Sequence, residues 1–178
     1  MSKKKLATVW LDGCSGCHMS FLDMDERLID LAAKADLVYS PLVDNKEFPP
    51  DVDITLVEGA VSSEEDLHKI QLIRTKTKCL VSLGDCAVTA NVPGMRNPFP
   101  VAAVYDRAYR ETATLDAGVV PHEVVPRLLP HARPVHEVVT VDVFIPGCPP
   151  SADVIYEAVT ALLEGRHAEI SAITRFGA

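Results

Sequence analysis

Five cysteines carry most of the chemistry that this chain can do, and four of them share a setting. Cys14 and Cys17 form a C-x-x-C pair within Asp12-Gly13-Cys14-Ser15-Gly16-Cys17-His18. Cys86 closes Gly84-Asp85-Cys86, and Cys148 stands in Pro146-Gly147-Cys148-Pro149-Pro150. Each group directly follows a short apolar run, and each contains glycine. Thiolates are soft ligands, and four of them with one C-x-x-C corner suit an iron–sulfur cluster or a tetrahedral zinc. Cys79 is different. It opens the apolar run Cys79-Leu80-Val81-Ser82-Leu83 and reads as a buried free thiol.

The elements around these turns predict how they meet. Residues 5–11, 36–42, 53–57, 79–83 and 138–145 read as buried strands. Apolar residues from Met19 to Ala32 recur at helical spacing and predict one helix ending near Lys34. Ser62 and Ser63, followed by Glu64, Glu65 and Asp66, mark a second helix start, and a short helix from Ala87 follows Cys86. Ser151 caps a closing helix that Gly165 ends. Strands alternating with helices predict an α/β fold with an open, mostly parallel sheet and helices on both faces. In such a sheet the loops after the strands lie at one edge, where ligands bind. The four cysteines therefore converge.

The flanking residues favour iron–sulfur over zinc. Gly13, Gly16, Gly84 and Gly147 can offer backbone N–H groups to sulfur, and such bonds tune an iron–sulfur potential. Helix N-termini after Cys17 and Cys148 favour negative charge there. His18, beside Cys17, and Glu58, at the end of the Asp53-Ile54-Thr55-Leu56-Val57 run, belong to the same edge as supporting or interface groups. The other histidines (68, 122, 131, 136 and 167) are scattered and read as surface or structural. Neither the Gly-x-Gly-x-x-Gly fingerprint nor the P-loop is present.

A single domain over residues 1–178 is expected, with a proline-rich insertion over residues 91–133 whose apolar content predicts packing against a partner chain. Hydrophobic residues make up 48% and charged residues 24%, the balance of a soluble protein. The net charge of −8 argues against nucleic acid as a partner. Lys3-Lys4-Lys5 reads as a solvated tail, and no membrane span or secretory leader is legible. A cytoplasmic location follows as the expectation, in which an odd cysteine count points to metal ligation before disulfides.

Cys14-Ser15-Gly16-Cys17, Val57-Glu58-Gly59-Ala60, Gly84-Asp85-Cys86 and Pro146-Gly147-Cys148-Pro149-Pro150, in this order and each at a strand end, resemble the small subunit of nickel–iron hydrogenases. The related quinone-reductase subunit of respiratory complex I typically has adjacent cysteines at the first position, where this chain has C-x-x-C. The resemblance implies a flavodoxin-like sheet in which Cys14, Cys17, Cys86 and Cys148 hold one proximal [4Fe–4S] cluster. It implies a large subunit that carries the nickel–iron site and packs on this edge. About thirty residues follow Cys148, without further cysteines, which resembles the short, single-cluster small subunit of soluble bidirectional hydrogenases coupled to NAD(P). That likeness implies diaphorase subunits with FMN and further iron–sulfur clusters, and leaves a second flavin near the cluster open. The alternatives are a quinone-, F420- or sulfur-linked hydrogenase or complex I-like subunit, a structural zinc module, and a free-standing FMN carrier.

Overall fold

In the computed structural model, residues 3–115, 118–166 and 173–174 are described; His167 and most of the tail lie outside them. β1 (Lys4–Trp10) leads through α1 (Gly16–Leu22) and α2 (Arg27–Lys34) to β2 (Ala35–Tyr39). β3 (Val52–Glu58) and the short β4 (Val61–Ser63) precede α3 (Glu64–Lys76). β5 (Thr77–Leu83), α4 (Asp85–Thr89), α5 (Asn91–Gly94) and α6 (Val101–Asp106) follow, the last running into a π-helical turn at Arg107–Glu111. β6 (Leu128–Arg133), a 3₁₀ turn at Val135–Glu137, β7 (Val143–Ile145) and α7 (Ala152–Leu163) complete the chain's described elements.

Five strands form one parallel sheet in the order β2-β1-β3-β5-β7. Counted within the sheet, this is the 2-1-3-4-5 order of flavodoxin-like folds, as expected. Strands buried on both faces read as nearly continuous apolar runs. Leu6, Ile54, Leu56, Val81, Leu83 and Ile145 face α1, α2 and α7, against Phe21, Leu31, Ile155 and Val159. Ala7, Val9, Val57 and Leu80 face the other side, against Ile70 and Ile73 of α3 and Ala87 of α4. The alternation along each strand thus divides the core in two.

Register places the site. Trp10 pairs with Glu58, Glu58 with Leu83, and Leu83 with Ile145. Four strand ends therefore stand in one row, and the four cysteine-bearing or glutamate-bearing turns leave the sheet side by side.

Three expectations are corrected. The first helix is two helices: Asp23 ends α1, Met24 turns into the core, and Asp25 takes a left-handed φ of 54°. The lysine run is anchored, since β1 starts at Lys4 and the Lys5 N–H donates to Asp53 Oδ2 at 2.8 Å. The last strand begins only at Val143, because the Asp142 carboxylate takes the Leu80 N–H at 2.7 Å and the Arg74 guanidinium at 2.6 Å, turning residues 138–142 out of the ladder. The insertion, whose elements the sequence left unassigned, contains a strand: β6 pairs antiparallel with β4, tolerating Pro130 on an edge.

Candidate metal centre

The turn after β1 is built against the turn after β3. Leu11 N–H donates to Glu58 O (2.9 Å), and Asp12 and Ala60 exchange backbone hydrogen bonds (3.1 and 2.7 Å). Gly59 lies so close that a Cβ there would stand 2.8 Å from Asp12 O. Trp10 Nε1 donates to Gly13 O at 3.2 Å and closes the turn from outside. Ser15, at a left-handed φ of 64°, then starts α1 and puts Cys17 in its first turn.

The turns after β5 and β7 are held to each other. The Asp85 N–H donates to Gly147 O (2.9 Å), and the Gly147 N–H donates to Asp85 Oδ1 (2.7 Å). This reciprocal pair fixes Cys86 and Cys148 as neighbours. Ser20 on α1 donates to Pro150 O at 2.6 Å, tying the Cys17 helix to the Cys148 turn. Gly84, at φ +81°, leaves room for the Cys17 thiol; a Cβ there would collide with Sγ.

Cys14, Cys17, Cys86 and Cys148 consequently line one cavity of about 50 Å³, together with Gly16, Glu58, Asp85, Gly147 and Pro149. That is far below the size of a site for an organic cofactor and suits a compact inorganic group. Cys17 is buried and Cys86 half-buried, whereas Cys14 and Cys148 are exposed, so the cavity opens on the Cys14–Cys148 side. Cys79, half-buried in β5, lies apart from it.

The donors around the sulfurs differ in part from those expected. Gly16 N–H donates to Cys14 Sγ at 3.4 Å, as expected. Gly84 and Gly147 do not serve sulfur: their N–H groups go to Ile145 O and Asp85 Oδ1. Asn91 Nδ2 donates to Cys148 Sγ at 3.6 Å, and the Val92 N–H stabilises the Cys86 thiolate. Sequence reasoning missed Asn91, Val92 and Asp85; only Asp85, set between Gly84 and Cys86, had a motif to point to it.

Burial pushes the Cys17 thiol far up, and Glu58 comes next among the causes, ahead of Cys86, Cys14 and Cys148. Burial also raises Cys86, against the Val92 hydrogen bond, with Cys148 and Cys14 adding to the rise. Thiolates crowded in this way repel each other until cationic charge is placed between them, which is the chemistry of a metal cluster site. Among the described residues, no three His, Cys, Asp or Glu side chains are grouped as ligands of one ion.

Glu58 and His18 meet beneath the cysteines, both buried. The His18 backbone N–H donates to Glu58 Oε2 at 2.9 Å, and His18 Nδ1 lies 2.5 Å from the same oxygen. Since Ser15 offers α1 no side-chain cap, this carboxylate serves the helix start from across the sheet. His18 Nε2 reaches Thr8 Oγ1 (3.0 Å), and Thr8 Oγ1 donates to Ser40 Oγ (2.8 Å).

The family described as "NADH ubiquinone oxidoreductase, 20 Kd subunit" matches residues 14–162, a span that holds all four cysteines of the cavity. The chain belongs to this family. Within the 20 Kd subunit family its similarity runs to hydrogenase small subunits. It is 45% identical, over 98% of its length and 86% of the relative's, to the "NAD-reducing hydrogenase HoxS subunit delta" of Cupriavidus necator. It is 40% identical to one subunit of the F420-non-reducing hydrogenase of Methanothermobacter thermautotrophicus, covering 94% of this chain but 56% of that protein. A chain of the crystal structure of an NAD+-reducing [NiFe]-hydrogenase in the H2-reduced state superposes with a TM-score of 0.93 at 38% identity, over 98% of this chain and 99% of that one. The chain is thus a hydrogenase-type small subunit and part of an oxidoreductase complex. Among the described residues, no helix is long and apolar enough to cross a membrane.

Proposed function

We propose that this chain is the electron-transfer small subunit of a cytoplasmic [NiFe] hydrogenase that reduces NAD(P)+. In this reading Cys14, Cys17, Cys86 and Cys148 hold one [4Fe–4S] cluster, and the chain itself breaks no bond of the substrate. The observation that carries it is the meeting of four cysteines, from three strand-end turns, on one small cavity. Such a cluster, when bound, supplies a one-electron relay between a nickel–iron site in a large subunit and FMN and iron–sulfur groups in diaphorase subunits.

The chain's own residues do the holding. The Asp85–Gly147 exchange and the Gly59–Asp12 approach set the turns that carry the ligands. Gly16, Asn91 and Val92 offer N–H groups to three of the sulfurs, which steadies negative charge on them. Cys17 and Cys86 face inward and exclude water from their side. Cys14 and Cys148 leave the other side open, where the large subunit would close it. The insertion supports a partner as well: Met95 and Phe99 are exposed, and Phe99, Ala103, Val104, Arg107, Ala108 and Glu111 line a groove of about 540 Å³.

The zinc alternative is separated by metal analysis: zinc without iron or labile sulfide in the purified complex would replace the cluster with a structural metal. The relatives that do not reduce F420 keep a different electron acceptor as the second reading. Purified complex should reduce NAD+ or NADP+ under hydrogen. Reduction of a quinone or F420 alone would replace this acceptor with that one.

A further inference from the structure

We propose that Glu58 sets the reduction potential of the group held by the four cysteines, with His18 as the positioning residue that keeps the carboxylate on the cavity. This rests on the reading of Cys14, Cys17, Cys86 and Cys148 as cluster ligands.

Glu58 is 2% exposed, at the carboxyl end of β3, on the sheet face it shares with Ile54 and Leu56. A carboxylate in such a place is costly unless hydrogen-bonded. Its bonds come from His18 alone among the described residues, through the backbone N–H and Nδ1, and both fall on Oε2. Among the described residues, no lysine or arginine lines the cavity. On the cavity side Glu58 thus meets no lysine or arginine, and its partner is His18. Glu58 lines the same small cavity as Cys14, Cys17, Cys86 and Cys148.

His18 cannot swing away from this task. Its ring is 6% exposed and held at both nitrogens, by Glu58 and by Thr8, while Ser40, 2% exposed, receives the Thr8 hydroxyl in turn. Ser40 also accepts the Leu42 N–H at 3.1 Å. Four polar side chains thus run in line through an otherwise apolar layer, and the end of the line is a carboxylate beside the thiolates. A structural cap for α1 needs only an acceptor for one N–H. A carboxylate turned toward the ligands, with its histidine partner behind it, disfavours adding an electron to the group between them, so it lowers the potential.

Glu58→Gln keeps the shape and removes the charge. In the holo-complex, a redox titration at one fixed pH, followed by electron paramagnetic resonance, should show this cluster at least tenfold easier to reduce, its midpoint about 59 mV more positive. Iron per complex should stay at the wild-type value. An unchanged or more negative midpoint with full iron overturns the proposal. If Glu58→Gln loses iron, Glu58→Asp decides, because it retains the charge but draws it back toward β3. A measurably more positive midpoint in the Glu58→Asp complex then supports the proposal. A wild-type midpoint there, or loss of iron from both variants, makes Glu58 a structural support and overturns it. Wild-type complex without iron at these cysteines would instead defeat the ligand assignment beneath it.

Discussion

Gly84 carries the strictest steric demand at the site, since any Cβ would enter the Cys17 sulfur. Its φ of 81° with ψ of 160° is a conformation kept for glycine and adds about 1–3 kcal/mol for another residue. Gly84→Ala is expected to leave purified complex with less than half the wild-type iron, measured against protein by metal analysis. Cys79→Ala is the control: it lies in β5 away from the cavity and should keep full iron and the wild-type spectrum. At this scale the four thiols were legible because glycine and proline mark their turns and each turn follows an apolar run. Asn91, Val92, Thr8 and Ser40 were not. Thr8 sits inside an ordinary strand and Asn91 opens a short helix, and nothing in their neighbours in sequence tells that a sulfur or an imidazole will come within reach.

The elements explain how the four cysteines are placed. Ser63 caps α3 in a reciprocal box with Asp66, and its loss to Ala should cost about 1 kcal/mol in urea unfolding. Asp142 replaces a backbone partner for β5: its carboxylate holds the Leu80 N–H and Arg74, so Asp142→Ala should cost about 1–3 kcal/mol and loosen the β5–β7 edge. Asp53 joins the starts of three strands. Burial pushes its carboxyl up, but the Lys78 ammonium and the Lys5 N–H outweigh it and hold the group below the usual range. A depressed folded value gives stability that is present above the unfolded value, near pH 4, and is lost as pH falls through the folded one. Asp53→Asn should therefore lower the urea midpoint at pH 7, with the difference closing below about pH 4. The parallel sheet was readable because its strands are uniformly apolar. The break after α1 was not, because Met24 keeps the apolar spacing while Asp25 turns the backbone. The early start foreseen for β7 failed for a related reason: Val138, Val139 and Val141 are apolar enough for a strand but pack into the second core instead.

On the scale of the whole molecule, one edge of the sheet carries the site and opens on exposed Cys14 and Cys148. The insertion adds an apolar surface beyond what the core needs, and β6 anchors it: Arg96 holds the Ser62 and Leu129 carbonyls, and Asn97 binds both backbone groups of Ala132. The sequence already showed this segment as proline-broken yet apolar; its pairing with β4 depends on contacts too distant in sequence to read. The central claim is that the four converging cysteines hold one four-iron cluster through which the complex conducts. Its most direct test is electron paramagnetic resonance, with iron and sulfide analysis, of hydrogen-reduced complex carrying Cys86→Ala beside the wild type. The account predicts that one cluster signal and hydrogen-driven NAD(P)+ reduction are lost while nickel is retained. An unchanged signal and activity, or zinc in place of iron and sulfide in the wild type, would contradict it.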